Sequence, residues 1–252
     1  MIIRFSLGKP HMKTIGLIGG MSFESTAVYY DLLNNMARDR FGGLASAEIL
    51  LHSVNFADIV ALQQSGRWDE AGRRLAAIAS NLESAGAECI LICTNTMHKV
   101  AGQVKTEISA PLIDIIDETA TSLKARGCKR PLLLATRYTM EDGFYHAQMT
   151  SHGIEVMTAE KADRDRIHSI IFDELCKGKV LDDSRAEMLA IIDAARSTGA
   201  DSIILGCTEI CLLLDPDHLP LPGVDSTLVH CLAASAFASD DQAALDGARK
   251  YA

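Results

Sequence analysis

The sequence predicts an α/β fold built from two similar units, each with its own parallel sheet. Residues 90–98 and residues 202–210 share one pattern: a short apolar run, then small polar residues, then the start of a helix. Short apolar runs that alternate with helical stretches are typical of buried parallel strands. Because the pattern occurs twice in a chain of 252 residues, it indicates a duplicated unit.

The spacing of the strand ends supports the duplication. Gly20 and Cys93 each follow a predicted strand and lie 73 positions apart, while Thr136 and Cys207 repeat this arrangement at 71 positions. We therefore expect two pseudo-symmetric parallel-sheet subdomains that pack closely, with an active site in the cleft between them. The predicted boundaries are residues 12–118 plus 225–252 for the first subdomain, 119–224 for the second and 1–11 for an N-terminal extension.

The individual elements follow from hydrophobic periodicity and from turn residues. Strands are predicted at residues 13–20, 48–54, 89–93, 110–116, 132–136, 154–157, 202–205 and 219–224. Helices are predicted at residues 27–40, 55–64, 68–86, 118–126, 163–176, 182–198 and 226–238, with a further helix starting near Asn95.

Composition excludes several classes of function. The net charge of −9 argues against a nucleic-acid partner, which requires basic patches. The longest apolar run is far too short to span a membrane, and residues 1–11 make a poor signal peptide. Seven cysteines at irregular spacing form neither a disulfide framework nor a zinc site, so we expect a reducing, cytoplasmic compartment.

One glycine-rich turn invites a dinucleotide-binding interpretation, which we reject. Gly16, Gly19 and Gly20 end the first strand, but the third glycine of the dinucleotide fingerprint is missing, as is a clear acidic residue for the ribose. Glycine here more simply allows the backbone to pass close to another group.

Polar residues follow the two matched strands, where ligands bind in open α/β sheets. Thr94, Asn95 and Thr96 follow the first of these strands, and Cys207, Thr208 and Glu209 follow the second. We expect both sets to lie at the mouth of one site.

The chain resembles the aspartate/glutamate racemase family over nearly its whole length from Met12. The motifs that carry the resemblance occur in the family's order: Gly19-Gly20-Met21-Ser22, Asn95-Thr96-Met97-His98, Thr136-Arg137-Tyr138-Thr139-Met140, Gly206-Cys207-Thr208-Glu209 and Asp225-Ser226-Thr227-Leu228-Val229-His230. The resemblance implies two α/β units with one active site between them, an amino-acid substrate, no cofactor and no metal. It also implies a homodimer.

Family members use two cysteines, one from each half, on opposite faces of the substrate Cα. Here Thr94 holds the place of the first cysteine, and Cys93 lies one residue earlier. Adjacent strand residues point to opposite faces, so Cys93 is expected in the core and Thr94 in the cleft. A Thr94/Cys207 pair resembles the racemases specific for L-aspartate and L-glutamate. The other cysteines are interpreted as core residues: Cys89, Cys128, Cys176, Cys211 and Cys231.

Racemisation removes a proton from one face of Cα and returns one to the other, so two groups are needed. A thiol suits this role because its pKa, about 8.5 in model peptides, can be lowered by a helix N-terminus. The charge that develops on the substrate carboxylate requires fixed donors, a role that Asn95, Thr96 and Thr208 are expected to fill.

Further binding residues are expected from the resemblance. Met21 and Ser22 lie on the first loop, and Thr136 lies in the matching loop of the second half. Lys177 is expected at the substrate side-chain carboxylate, and Glu209 is expected to orient or tune Cys207. Aspartate racemases of the family often carry arginine about where Ile59 stands, so Gln63, one turn on, is the expected replacement. His98 and His230 are expected to be structural.

Three functions therefore stand at the level of sequence. The first is cofactor-independent racemisation of aspartate or glutamate by Cys207 and Thr94. The second is a decarboxylase of the same superfamily, which needs only the cysteine of the second half. The third is an amino-acid sensor that has lost its first base.

Overall fold

A computed structural model describes residues 12–241 of the chain. The expected N-terminal extension, residues 1–11, lies outside the described residues, as do residues 242–252 of the expected first subdomain.

The described residues form two parallel three-stranded sheets, as the sequence predicts. The first sheet has the order β2-β1-β3, and the second has the order β4-β5-β6. The strands are β1 Ile15–Gly19, β2 Ile49–Ser53, β3 Cys89–Ile92, β4 Pro131–Leu134, β5 Ser202–Leu205 and β6 Gly223–Asp225.

Helices cover both sheets. The α-helices are α1 Phe23–Phe41, α2 Phe56–Gln64, α3 Trp68–Ser84, α4 Ala101–Glu107, α5 Ile115–Ala125, α6 Arg137–Glu141, α7 Phe144–Ser151, α8 Lys161–Ser169, α9 Asp182–Ser197, α10 Ile210–Leu213 and α11 Ser226–Ala238. Short 3-10 helices lie at Thr96–Val100, Leu175–Lys177 and Pro216–His218, and a π-helical turn lies at Ile170–Glu174. Within residues 12–241, no helix is both long enough and apolar enough to cross a membrane.

Two isolated bridges reveal how closely the halves correspond. Ile90 pairs with Leu112 beside β3, just as β5 pairs with β6 in the second sheet. Leu132 pairs with Met157 beside β4, just as β1 pairs with β2 in the first sheet. Each half therefore has the same order of four chain segments, which confirms the expected pseudo-symmetry.

Three predicted strands are shorter than expected. The segment 110–116 makes only the bridge at Leu112, because Asp114 caps α5 with its side chain and the chain is helical from Ile115. The segment 154–157 makes only the bridge at Met157. The segment 219–224 becomes a strand only at Gly223, since the prolines before it cannot donate ladder hydrogen bonds.

Two predicted helices also differ from the structure. The segment 163–176 is not one helix, because α8 gives way to the π-helical turn Ile170–Glu174 and then to the 3-10 helix Leu175–Lys177. The helix expected near Asn95 starts as the 3-10 helix Thr96–Val100 and becomes α-helical only at Ala101.

The first sheet packs differently on its two faces, and strand alternation decides which residue goes where. Ile90 and Ile92 face the core formed with α2 and α3. Leu91 and Cys93 face the opposite core, which includes residues of α1 and α11. The expected orientation of Cys93 toward the core is therefore confirmed.

Helices α5 and α11 join the two halves. They pack against each other, and α11 also packs against α1 of the first half. Ile115 and Val229 of these helices belong to the core of the second sheet, while Cys231 belongs to a core of the first sheet. The exact boundaries of the subdomains stay a prediction.

The turn after β1 depends on a glycine, which gives a test of the fold. Gly20 has φ of +86°, and a Cβ there would lie 2.3 Å from the Val54 carbonyl oxygen. We expect Gly20→Ala to lower the free energy of unfolding by about 3 kcal/mol, because left-handed backbone and a backbone clash both disfavour alanine. Urea unfolding measures this change.

The matched control is Gly127→Ala. Gly127 also has a left-handed φ, of +74°, but a Cβ there would meet nothing within 4 Å. We expect a loss of only about 1 kcal/mol, from the backbone conformation alone. Equal losses in the two variants would contradict the close approach of the turn to Val54.

Candidate active site

A small cavity lies between the two halves, at the carboxyl ends of the strands. Its volume is about 30 Å³. Such a space holds roughly two water molecules, so an amino acid can enter only if the walls part. The lining residues are Met21, Ser25, Phe56, Gln63, Thr94, Asn95 and Thr96 from the first half, and Thr136, Ile171, Phe172, Cys176, Gly206, Cys207, Thr208 and Glu209 from the second.

The register of the two sheets makes Thr94 the counterpart of Cys207. The amide of Cys93 donates to the carbonyl of Ile18 at the end of β1 (3.0 Å). The amide of Gly206 donates in the same way to Leu134 at the end of β4 (2.8 Å). Cys93 thus corresponds to Gly206, and the next residue in each half lines the cavity. The spacing comparison, which matched Cys93 with Cys207, is wrong by one residue.

Cys93 itself is closed off from the cavity. Its side chain is fully buried in the core of the first sheet. Burial raises the pKa of the Cys93 thiol far above its ordinary range. Cys93 is therefore a core residue, as alternation along the strand predicts.

The carboxylate of Glu209 is the polar centre of the cavity. Its Oε2 accepts a hydrogen bond from Sγ of Cys207 (3.0 Å). Its Oε1 accepts from Oγ of Ser22 in the first half (2.5 Å) and from Sγ of Cys176 (3.8 Å). The Glu209 side chain thus connects the two halves and contacts Cys207 directly.

The thiol of Cys207 is protonated in this arrangement, contrary to expectation. Burial, and then the negative charge and hydrogen bond of Glu209, raise the pKa of Cys207 well above its ordinary value. The helix that follows, α10, has only four residues, so it offers a weak N-terminal dipole against that charge. Burial and Glu209 likewise raise the pKa of Cys176 to about 12.

Hydroxyl groups bridge the two halves at the floor of the cavity. Oγ1 of Thr208 lies 2.6 Å from Oγ of Ser25 and 3.0 Å from Oγ1 of Thr227. Oγ1 of Thr96 lies 2.9 Å from Oγ1 of Thr136 and contacts Thr139 as well. These contacts hold Thr96 and Thr208 at fixed positions.

Asn95 presents an unused acceptor. Its Nδ2 donates to Oγ of Ser226 at the start of α11 (3.0 Å). Its Oδ1 is buried and, within residues 12–241, has no hydrogen-bond partner. Buried polar atoms are normally paired, so a donor on a bound molecule is the natural partner for Oδ1.

Aromatic and neutral side chains form the outer wall. Phe56 of the first half stacks on Phe172 of the second, with ring centroids 6.5 Å apart. Nε2 of Gln63 donates to the sulfur of Met97 (3.2 Å), a weak acceptor that leaves this donor available for a better one. Among the described lining residues, Glu209 is the one charged side chain.

Two predicted binding residues do not line the cavity. Ser22 is buried beneath it and bonds to Glu209. Lys177 lies outside, in the neighbouring open cleft, with 57% of its side chain exposed and its ammonium paired to Asp173. Phe172 lines both the cavity and that cleft. The role of Lys177 at a substrate carboxylate stays a prediction.

The structure adds five lining residues that the sequence did not identify: Ser25, Phe56, Ile171, Phe172 and Cys176. Cys176 was interpreted as a core residue, although it lies next to Lys177 in a segment that the resemblance singled out. Phe172 carried no signal in the sequence, because it lies in the π-helical turn that replaces a regular helix.

The two histidines are buried beside the site. Nε2 of His230 contacts the carbonyl of Ile113, and its Nδ1 contacts the Tyr29 hydroxyl (both 2.8 Å). Nδ1 of His98 contacts the carbonyl of Thr94 (2.8 Å). Within residues 12–241, no cluster of three or more His, Cys, Asp or Glu side chains is arranged to hold a metal ion.

Comparison with known proteins matches this geometry. A candidate Asp/Glu racemase from Yersinia pestis is 45% identical, with a TM-score of 0.85, and the match covers 90% of this chain and 99% of that one. An aspartate racemase homologue from Pyrococcus horikoshii OT3 is 32% identical, with a TM-score of 0.80, and the match covers 90% of this chain and 100% of that one. RacX of Bacillus subtilis (strain 168), a broad specificity amino-acid racemase, is 24% identical over 88% of this chain and 95% of its own.

The family model for Asp/Glu/hydantoin racemases matches residues 18–234, which include every residue that lines the cavity. The resemblance predicted from the motifs is confirmed. The chain belongs to the Asp/Glu/hydantoin racemase family.

Proposed function

We propose that this protein racemises an acidic amino acid, aspartate or glutamate, without a cofactor. Cys207 and Thr94 are the two groups that exchange protons with Cα. The observation that carries the proposal is their equivalence: each follows the third strand of its half, and both line one cavity. A pseudo-twofold relation brings two such groups to opposite sides of a bound molecule.

The first half of the reaction uses Glu209 as the proton acceptor for Cys207. The thiol proton moves to Oε2, which lies 3.0 Å from Sγ, and leaves a thiolate. The thiolate then takes the proton from Cα. Binding of the substrate's ammonium group favours this step, because a positive charge nearby lowers the pKa of the thiol.

The second half uses the hydroxyl of Thr94. Its proton moves to the opposite face of Cα, and a water molecule carries the proton held by Glu209 back to Thr94. Every proton is then accounted for, and the site returns to its starting state. Assignment of the L-isomer to the Cys207 side follows from the resemblance.

The main-chain groups of the substrate meet the polar floor. Oδ1 of Asn95 accepts from the ammonium group, which satisfies the buried acceptor. The hydroxyls of Thr96 and Thr208 donate to the carboxylate, where negative charge grows in the transition state. The hydroxyl network described above keeps both threonines in place before the substrate arrives.

The side-chain carboxylate of the substrate binds near Gln63. The amide of Gln63 exchanges its weak contact with the Met97 sulfur for a stronger one with a carboxylate oxygen. A second candidate is racemisation of neutral amino acids. The observation that favours it is the lining, in which the described residues include no lysine or arginine.

Several finer expectations stay predictions. A homodimer follows from the resemblance, and a cytoplasmic location follows from composition. The decarboxylase and the sensor stay alternatives to racemisation, and the next experiment distinguishes them.

The decisive experiment is incubation with L- and D-amino acids, acidic and neutral, in deuterium oxide, followed by proton NMR and chiral chromatography. We expect exchange of the Cα proton together with inversion for aspartate or glutamate. Exchange only of neutral amino acids would favour the second candidate. Binding without exchange would identify a sensor, and carbon dioxide release from a malonate would identify a decarboxylase.

Cys207→Ser tests the thiol. We expect inversion to fall about 1,000-fold, because a hydroxyl is a far weaker acid than a thiol and general acid–base catalysis contributes about this much. The control is Cys93→Ala, in which the thiol removed lies in the core and inversion is expected to remain. Loss of activity as complete in Cys93→Ala as in Cys207→Ser would contradict the assignment.

Glu209→Gln separates the reactivity of the thiol from catalysis. Removal of the negative charge lowers the pKa of Cys207, so alkylation of Cys207 by iodoacetamide should speed up, about tenfold for each unit of pKa. Inversion should fall at least about tenfold, because the proton acceptor is lost. Peptide mass spectrometry follows Cys207 separately from Cys176. If alkylation and inversion rise or fall together, Glu209 does not accept the thiol proton.

Thr94 is tested by the two directions of the reaction. Enantiomers have equal free energies, so kcat/KM is the same in both directions, and asymmetry can lie only in kcat and KM. We expect Thr94→Ala to stop inversion while the Cα proton of the L-isomer still exchanges with deuterium on the Cys207 side. Thr94→Cys should raise the D-to-L turnover number. Equal kcat values in the unmodified protein, with unchanged rates in Thr94→Ala, would remove Thr94 from the mechanism.

A further inference from the structure

His98 has both ring nitrogens engaged directly behind Thr94. It lies in the 3-10 helix Thr96–Val100 and is only 4% exposed. Its Nδ1 lies 2.8 Å from the carbonyl oxygen of Thr94, and the backbone amide of Ile115 donates to its Nε2 (3.2 Å).

These contacts determine the tautomer of the ring. A backbone amide can only donate, so Nε2 must accept, and the single proton of the neutral ring lies on Nδ1. Nδ1 therefore donates to the carbonyl of Thr94. Burial lowers the pKa of His98, so the ring stays neutral and both hydrogen bonds persist near neutral pH.

Thr94 needs such support because its hydroxyl is not held by the protein. Within residues 12–241, the Thr94 hydroxyl has no hydrogen-bond partner, and so its direction depends on the backbone that carries it. The Thr94 amide donates to the carbonyl of Ile92 (2.8 Å), which fixes one side of the residue. The contact with His98 fixes the other side.

The far side of the imidazole rests on a firm structure. Ile115 is the first residue of α5, whose N-cap Asp114 accepts from the amide of Ile116 (3.0 Å). The Asp114 carboxylate also pairs with Lys105 (2.8 Å). His98 thus connects the Thr94 carbonyl to a helix start that is itself capped and paired.

The second half solves the same problem differently. The carbonyl of Cys207 accepts from the amide of Ile210, three residues on (3.0 Å). By the register of the two sheets, the position that corresponds to His98 is occupied by Cys211. The imidazole is therefore a feature of the half that carries Thr94.

We propose that His98 is a positioning residue for Thr94: its Nδ1–H holds the Thr94 carbonyl so that the hydroxyl points at the face of Cα opposite Cys207. This inference rests on the proposed function. It predicts that a change at His98 impairs delivery of a proton to one face while removal of a proton at the Cys207 face continues.

A matched pair of variants tests the donor. In His98→Asn, the amide nitrogen takes about the place of Nδ1 and can still donate to Thr94. In His98→Gln, the longer side chain places its amide near Nε2, where it can contact the Ile115 amide but not Thr94. The readout is the rate of Cα deuteration of the L-isomer compared with the rate of inversion.

We expect inversion to fall about tenfold or more in His98→Gln, which corresponds to the loss of one hydrogen bond. Deuteration without inversion should stay within about threefold of the unmodified protein, because Cys207 and Glu209 are untouched. In His98→Asn, both rates should stay within about threefold, since the donor is retained. A parallel loss of both rates in His98→Gln would mean that His98 only supports the fold, and would overturn the inference.

Proton–nitrogen NMR of the unmodified protein gives a test that needs no variant. A neutral ring with its proton on Nδ1 supports the inference even if His98→Gln does not fold, and a proton on Nε2 overturns it. Failure of the proposed function looks different: the unmodified protein would then neither deuterate nor invert any amino acid. Normal inversion in a folded His98→Gln protein would overturn the role of His98 while leaving racemisation intact.

Discussion

The site depends on one buried carboxylate. Glu209 is only 5% exposed, and its negative charge is costly in such a place unless hydrogen bonds replace water. Ser22 supplies one of those bonds from the first half, while Cys207 and Cys176 supply thiol donors from the second. The carboxylate therefore holds the two halves together at the reacting centre. It also keeps Cys207 protonated, which means that the thiol is activated only when a substrate changes the balance of charge.

Duplication places the reacting groups, but the two halves have diverged in chemistry. The register makes Thr94 equivalent to Cys207 and Thr96 equivalent to Glu209. In the second half this pair is a thiol with a carboxylate, and in the first half it is two hydroxyls. A hydroxyl with no carboxylate beside it is a poor base at neutral pH, although it can deliver a proton. The fold is thus nearly symmetric while proton transfer is not, because sheet register is set by the backbone and acidity is set by single side chains.

The sequence predicted the architecture well because hydrophobic alternation and turn residues are local signals. Alternation alone separated Cys93 from Thr94, and the motifs identified Cys207 and Glu209 as neighbours in one site. Prediction failed where packing over a distance decides the outcome. The raised pKa of Cys207 comes from burial and from a charge two residues away, whereas the sequence indicated a helix that would lower it. Phe172 reaches the cavity only because the helix expected at 163–176 loosens into a π-helical turn, which periodicity does not reveal.

The contacts around the cavity are unequal in strength, and this limits how it can open. The floor is tied by short hydrogen bonds between buried side chains, such as those from Thr208 to Ser25 and from Ser22 to Glu209. Breaking them would leave buried polar groups unpaired, at about 1–3 kcal/mol each. The outer wall is held by the stacking of Phe56 on Phe172, and such aromatic pairs contribute about 0.5–1.5 kcal/mol beyond their buried area. Phe172 also lies on a π-helical turn, a geometry that is strained relative to a regular helix and is frequent at functional sites. Separation of the two rings is therefore the cheapest way to enlarge the cavity, and it leaves the arrangement of Cys207, Glu209 and Thr94 unchanged.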